Sequence, residues 1–363
     1  MRVSGELARM ADLARVLPFA TADMGDARRE ALRTRINQRS RWAEQLTDHP
    51  NAFEDWHAGA ETADQLVDEV IAMLMTRLMR SEGMDVGAFD AAGLLLSDLT
   101  VLAGVPPLLL VHTQRLESVD HHRAAVSVRF PGTRIWELPF VAHEFGHHAT
   151  THVRHREPAL ADRRPLAEVK ADVVSVMKKT QPPNAFADPH AGELLADCVA
   201  TVSCGPTVPI ACLCLRVLRT AKAGTPTSTH PSWRDRIATM SEVLNALADA
   251  SGKPRYRQQR EAVIDPLAAA VLGSVPAVPP AGLQAAQRVV TAVWDHVPAL
   301  VYHRADDAIE VMERLERRDP TAAADTAVSA VVDGAWRWRL SRLDRTEDDE
   351  VARLAVDYCR QLR

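Results

Sequence analysis

His143 and His147 stand four residues apart in L-P-F-V-A-H-E-F-G-H-H-A-T-T-H, residues 138 to 152. On an α-helix that spacing puts both imidazoles on one face, one turn apart, where they can grip a single metal ion. Glu144 then falls to one side of the metal. The pattern H-E-x-x-H is that of a zinc helix whose glutamate acts as general base toward a metal-bound water. Leu138, Phe140 and Val141 give the segment an apolar lead-in, and Pro139 suits a first helical turn. Gly146 is a poor helix former, and close packing of another backbone would explain it.

Catalytic zinc normally takes three protein ligands and leaves a position open. A continuation H-x-x-G-x-x-H would supply a third histidine, but Thr150 and Val153 occupy those positions. His148, His152 and His155 lack ligand spacing from His147 and read as surface residues or as supports for the ligands. A glutamate on a later helix is the remaining common solution. Two segments offer E-x-x-x-D, in which an aspartate one turn on would orient a ligand histidine. They are E-V-K-A-D (Glu168, Asp172) and E-L-L-A-D (Glu193, Asp197). Glu193 lies among small and apolar residues, where an unpaired carboxylate is costly. Glu168 has Arg164 and Lys170 nearby and could be solvated. Burial favours Glu193, with Glu168 as the open alternative.

In S-T-H-P-S-W-R-D-R-I-A-T-M (228 to 240), His230-Pro231 would start a helix carrying Arg236 on a later turn. A histidine there can donate a hydrogen bond to an oxyanion, and an arginine can pair with an acidic site residue. An ordinary helix start with a surface arginine accounts for this segment equally well when it is read alone.

The elements that must position these residues are mostly helical. In residues 61 to 80, Thr62 and Gln65 have capping-box spacing, and Leu66, Val70, Met73, Leu74 and Leu78 form one apolar stripe. Several helices fill residues 1 to 115, with breaks near Pro50, Gly83 and Pro106-Pro107. Residues 124 to 130 (A-A-V-S-V-R-F) instead alternate apolar and polar, Pro131-Gly132 turns, and T-R-I-W-E-L follows. That predicts a hairpin, part of a small antiparallel sheet. Beyond residue 240 the chain is Ala-rich and helical, broken by S-V-P-A-V-P-P-A-G (274 to 282), with patterns at 283 to 317, 321 to 342 and 347 to 362.

H-E-F-G-H, E-L-L-A-D and H-P-S-W-R-D-R-I occur in the order seen in gluzincin metallopeptidases. The chain most resembles the CAAX prenyl endopeptidase and heat-shock membrane protease family and its soluble minigluzincin relatives, over roughly residues 120 to 240. The resemblance implies His143, His147 and Glu193 as zinc ligands, Glu144 as catalytic base and Asp197 as the partner that orients a ligand. It also implies His230 as transition-state stabiliser, supported by Arg236, and a strand edge on which an extended peptide is laid. The chain lacks the transmembrane helices of the membrane members, which removes the case for prenylated substrates.

The expected fold is mainly α, of α+β type. A zincin-like core with a small antiparallel sheet or hairpin (116 to 240) lies between helical regions at 1 to 115 and 241 to 363. A composition of 47% hydrophobic and 25% charged residues is that of an ordinary soluble protein. A net charge of −5 gives no general reason to expect nucleic acid. The Arg-rich stretch 26 to 42 reads as a solvated helix face, given Leu32, Ile36 and Trp42. The five cysteines are odd in number and lie in apolar surroundings, and Cys212-x-Cys214 is not a zinc knuckle, so a reduced setting fits. No signal-peptide h-region opens the chain. The greasiest runs, 101 to 111 and 208 to 218, fall short of the roughly 20 residues of a membrane span.

The expectation is therefore a soluble, cytoplasmic, zinc-dependent endopeptidase acting on a peptide or protein substrate, with no membrane or nucleic-acid partner. Two alternatives are a non-catalytic regulatory or scaffold protein on a gluzincin core and a metallopeptidase that cleaves a repressor.

Overall fold

The structure, a computed structural model, describes residues 2–20, 26–46, 70, 74, 87–106, 109–113, 118–120, 125–129, 134–180, 186–217, 224–319, 321, 326–342 and 346–362. Its contacts divide the chain into two compact units. One comprises Met1–Val86 with Val111–Arg115, the other Gly87–Leu110 with Leu116–Arg363. In the first, α1 (Arg2–Ala20) packs on α2 (Asp26–Leu46). Met10, Leu13 and Leu17 meet the buried stripe Leu32, Ile36 and Ala43, while Arg33 and Arg41 face solvent. That is the arrangement the Arg-rich pattern predicts, except that Arg39 is buried over the ring of Trp42 at 3.6 Å. Of the helix expected over 61 to 80, only Val70 and Leu74 are described, both helical; the remainder, with Pro50 and Gly83, lies outside the described residues.

The second unit holds α3 (Gly87–Ala103), α4 (Leu138–His152), α5 (Pro165–Thr180), α6 (Ala187–Cys204), α7 (Thr207–Ala211) and α8 (Trp233–Ser251). It continues with α9 (Arg255–Gln259), α10 (Asp265–Leu272), α11 (Pro280–His296), α12 (Ala305–Glu316), α13 (Val328–Ser341) and α14 (Asp348–Arg360). α6 is the central element and packs on α4, α5, α8 and α11. From Leu194 to Cys204 every residue is buried, which is how a helix apolar on all sides must sit. Its alanines let neighbours approach closely.

The α+β expectation is corrected: the described residues are 80% helical and their architecture is all-α. Among the described residues, the extended chain consists of β1 (Leu109–Thr113), β2 (Ser118–Asp120) and β3 (Ala125–Arg129), the last two paired antiparallel as Ser118↔Ser127, Val119↔Val126 and Asp120↔Ala125. Within the expected second strand, 133 to 138, Ile135–Glu137 folds instead as a 3₁₀ turn running into α4. Glu137 N–H donates to the Arg134 carbonyl at 2.8 Å, and the Glu137 carboxylate accepts from Arg134 N–H at 3.3 Å. These bonds close the turn locally, and Pro139, at the start of α4, cannot donate to a ladder.

The single pattern expected at 283 to 317 is two helices. Val297, forced off αR by Pro298 (φ −141, ψ 56), ends α11 after His296, and a 3₁₀ turn at Pro298–Leu300 leads toward α12. Among the described residues no single helix is long and apolar enough to cross a membrane. α6 and Thr207–Arg216 meet that measure only as a pair bent by 118°.

Candidate metal centre

α4 carries His143, Glu144 and His147, and α6 carries Glu193 and Asp197 one turn apart. The two helices meet at Gly146. A Cβ there would stand 2.6 Å from the Ala196 carbonyl oxygen and 2.7 Å from its Cα. The glycine is thus the residue that lets α6 bring Glu193 over the two histidines. His143 Nε2 lies 3.4 Å from Glu193 Oε2, and His147 Nε2 lies 3.3 Å from Glu193 Oε1. One donor atom from each of the three side chains falls within 4.8 Å of the other two.

Asp197, beneath this cluster, approaches His143 Nδ1 to 2.8 Å through Oδ1. That contact holds the ring by Nδ1 and turns Nε2 toward Glu193. Arg236 on α8 closes the assembly. Its Nε donates to Asp197 Oδ2 at 2.7 Å, its Nη2 to Asp197 Oδ1 at 2.8 Å, and its Nη1 lies 3.3 Å from Glu193 Oε2. The guanidinium also sits over the Trp233 ring at 4.4 Å.

Burial alone would raise the carboxyl of Glu193. Contact with His143 and His147, with the charges of His143 and Arg236, instead holds it well below the usual carboxylate range. Asp197 is likewise opposed by burial and kept ionised by Arg236 and His143. Burial disfavours the His143 imidazolium, but the charge and hydrogen bond of Asp197, joined by Glu193, outweigh it and lift the group to about 10 in the metal-free protein. Two buried carboxylates thus face one guanidinium and the His143 imidazolium, whose Nε2 proton a metal cation would replace.

The donor set fits zinc. In tetrahedral coordination with bonds of about 2.0–2.1 Å, ligand atoms stand about 3.3–3.4 Å apart, which is the spacing of each histidine from its nearer Glu193 oxygen. Glu193 Oε2 is buried and accepts no hydrogen bond. Its nearest positive groups, Arg236 Nη1 at 3.3 Å and His143 Nε2 at 3.4 Å, stand outside hydrogen-bond geometry, and a metal ion would satisfy the oxygen more fully.

No protein-family model matches the sequence, nor does any curated protein or solved structure. The geometry has to carry the functional reading.

Glu168 is elsewhere. It accepts two hydrogen bonds from Arg163, from Nε at 2.7 Å and Nη2 at 2.8 Å, at the surface, while Asp172 pairs with Arg288. Arg164, nearby in the sequence, instead donates to the carbonyls of Thr151, Ala161, Asp162 and Arg163. His152 and His155 also lie apart, His152 stacked on His148 and His155 against His296. His148 is neither a surface residue nor part of the site: it is fully buried, with Nε2 3.1 Å from the Pro106 carbonyl.

A cavity of about 600 Å³ opens beside the cluster. Its walls include Glu144, buried on α4, and His230, whose Nε2 lies 3.4 Å from Glu193 Oε2. The expected helix start is present: Ser232 caps α8 by accepting from Asp235 N–H. One positioning residue was not singled out from the sequence. His190 Nε2 donates to the Thr227 carbonyl at 2.8 Å, while Thr227 Oγ1 accepts from His230 N–H at 3.0 Å and Thr227 N–H donates to the His230 carbonyl at 2.9 Å. α6 therefore tethers the turn bearing His230. The signal was available: His190 precedes Glu193 by one helical turn, on the same face.

Proposed function

We propose that this protein is a zinc-dependent endopeptidase that hydrolyses a peptide or protein substrate in the cytoplasm. The observation that carries the reading is the convergence of His143, His147 and Glu193 beside a cavity that Glu144 and His230 also line. Zinc held by those three donors would supply Lewis acidity, polarising a carbonyl and acidifying a water. The Glu144 carboxylate accepts the proton of the attacking water and delivers it to the departing amine nitrogen. His230 donates a hydrogen bond to the oxygen that gains charge as the carbonyl is attacked. Asp197 holds the His143 ring, and Arg236 holds Asp197, so neither needs to touch substrate. Five free cysteines, four of them buried, fit a reducing compartment.

The test pairs metal analysis with cleavage of a peptide library. Wild type should hold one zinc and cut. Glu144→Gln should keep the zinc and lose at least about 10²-fold in rate, the contribution of a positioned general base. Full activity in that variant sinks the mechanism. Zinc without cleavage of any peptide in the wild type would instead indicate a non-catalytic protein on the same core.

A further inference from the structure

The cavity has a wall that the metal cluster does not use. Val208, Cys212 and Arg216 recur at every fourth residue and all line it. In an unbroken α-helix each four-residue step carries the side chain about 40° further round, so Val208 and Arg216 would diverge by about 80°. The chain instead widens into a π turn over Cys212–Arg216. Its i→i+5 bonding adds less rotation per residue and turns Arg216 back toward the face of Val208. Single π turns of this kind recur at functional sites.

Arg216 is half-buried and ends an otherwise apolar run, V-P-I-A-C-L-C-L-R. Its guanidinium lies 4.2 Å over the ring of Phe140, a residue that also lines the cavity and sits one turn before His143 on the metal-binding helix. Stacking on an aromatic face pre-organises the planar guanidinium, and Arg is the side chain whose fork matches a carboxylate in two parallel bonds. Val208, Pro226, Pro231 and Trp233 make most of the remaining wall apolar. Water is scarce against such a surface, so a charge pair formed there is worth more than one at the surface.

We infer that Arg216, seated on Phe140 and turned inward by the π turn, is a specificity residue that binds a carboxylate of the peptide substrate. The inference rests on the peptidase reading. The carboxylate has two sources, an Asp or Glu side chain or the free terminus of the peptide, and the test separates them.

Three matched peptides serve as probes: one neutral and C-terminally amidated, one neutral with a free C-terminus, and one amidated with a single internal glutamate. Their binding to the full-length, zinc-loaded Glu144→Gln protein is measured by calorimetry, and their cleavage by wild type in parallel. One carboxylate peptide should bind at least about tenfold tighter than the neutral amidated one, and in cleavage the advantage should lie in KM more than in kcat. Whichever carboxylate peptide wins identifies the source. Adding Arg216→Gln should erase the difference, and Arg216→Lys, which keeps the charge without the fork, should leave part of it. The lysine variant also carries the test should the glutamine variant fail to fold. Equal affinity for all three, a preference that survives Arg216→Gln, or no binding of any peptide overturns the assignment. Wild-type cleavage of all three without preference removes the role of Arg216 and leaves the peptidase standing. A carboxylate preference in binding without cleavage of any of the three does the reverse.

Discussion

Asp197 is the residue on which the site's order depends, because it is buried, ionised and shared. Its Oδ1 meets both His143 Nδ1 and Arg236 Nη2, and its Oδ2 meets Arg236 Nε. Removing one partner of a buried ion pair leaves the other charge uncompensated, at a cost of about 3–5 kcal/mol. Arg236→Ala should therefore unfold at markedly lower denaturant, although Arg236 reaches no substrate in the proposed mechanism. Asp197→Asn is milder. It keeps the shape but weakens the hold on the ligand ring, and changes at such positions typically lower metal affinity by about 10–100-fold. A competitive chelator titration would measure it, and unchanged zinc affinity in Asp197→Asn would show that His143 needs no such support. At this scale the sequence was most readable. H-E-x-x-H and the two E-x-x-x-D segments carry their spacing on the surface of the text, and burial chose between the latter, since Glu168 has Arg163 to neutralise it and Glu193 lies within the core. The burial of His148 was not readable, because its partner is a carbonyl 42 residues away.

At the scale of elements, the site is a consequence of how closely two helices approach. Gly146→Ala would drive a methyl into the backbone of Ala196, which cannot rotate away as a side chain could. Overpacking of this kind costs about 1–3 kcal/mol and outweighs the gain of up to about 1 kcal/mol that alanine brings to a helix. The variant should be less stable and bind zinc more weakly, because separating α4 from α6 pulls Glu193 away from the histidines. Gly192→Ala is the control. Its new Cβ would meet only the end of the Lys170 side chain, at 3.7 Å, so that change should stabilise α6 by up to about 1 kcal/mol. Equal effects of the two substitutions in thermal melts would mean that Gly146 is not a contact residue. The sequence suggested a close backbone at Gly146 without naming it. It misread Ile135–Glu137 for a similar reason: alternation over a few residues cannot separate a strand from a 3₁₀ turn, and the Glu137 carboxylate that caps Arg134 decided the outcome. The sequence was also read as one pattern through 283 to 317, although Pro298, which removes an N–H where a longer helix would need one, marks the division between α11 and α12.

For the molecule as a whole, the metal would be a cross-link between α4 and α6, the latter the central helix of the larger unit. A ligand that binds only the native state adds RT ln(1 + [L]/Kd) to stability, about 2.7 kcal/mol when zinc is present at 100 times its Kd. Chelation should therefore lower the melting temperature by several degrees, and hydrogen exchange should quicken in α4 and α6 together. The variants turn this into a test of the ligand set. Glu144→Gln keeps all three donors and should show the full zinc-dependent shift. Glu193→Ala should show little or none, and Glu168→Ala, which removes only a surface partner of Arg163, should behave as wild type. Calorimetry on the four proteins with and without chelator is enough. If Glu193→Ala retained the whole shift, the stabilising ion would lie elsewhere in the fold, and the charge balance built by Glu193, Asp197 and Arg236 would be a structural ion network rather than a metal centre.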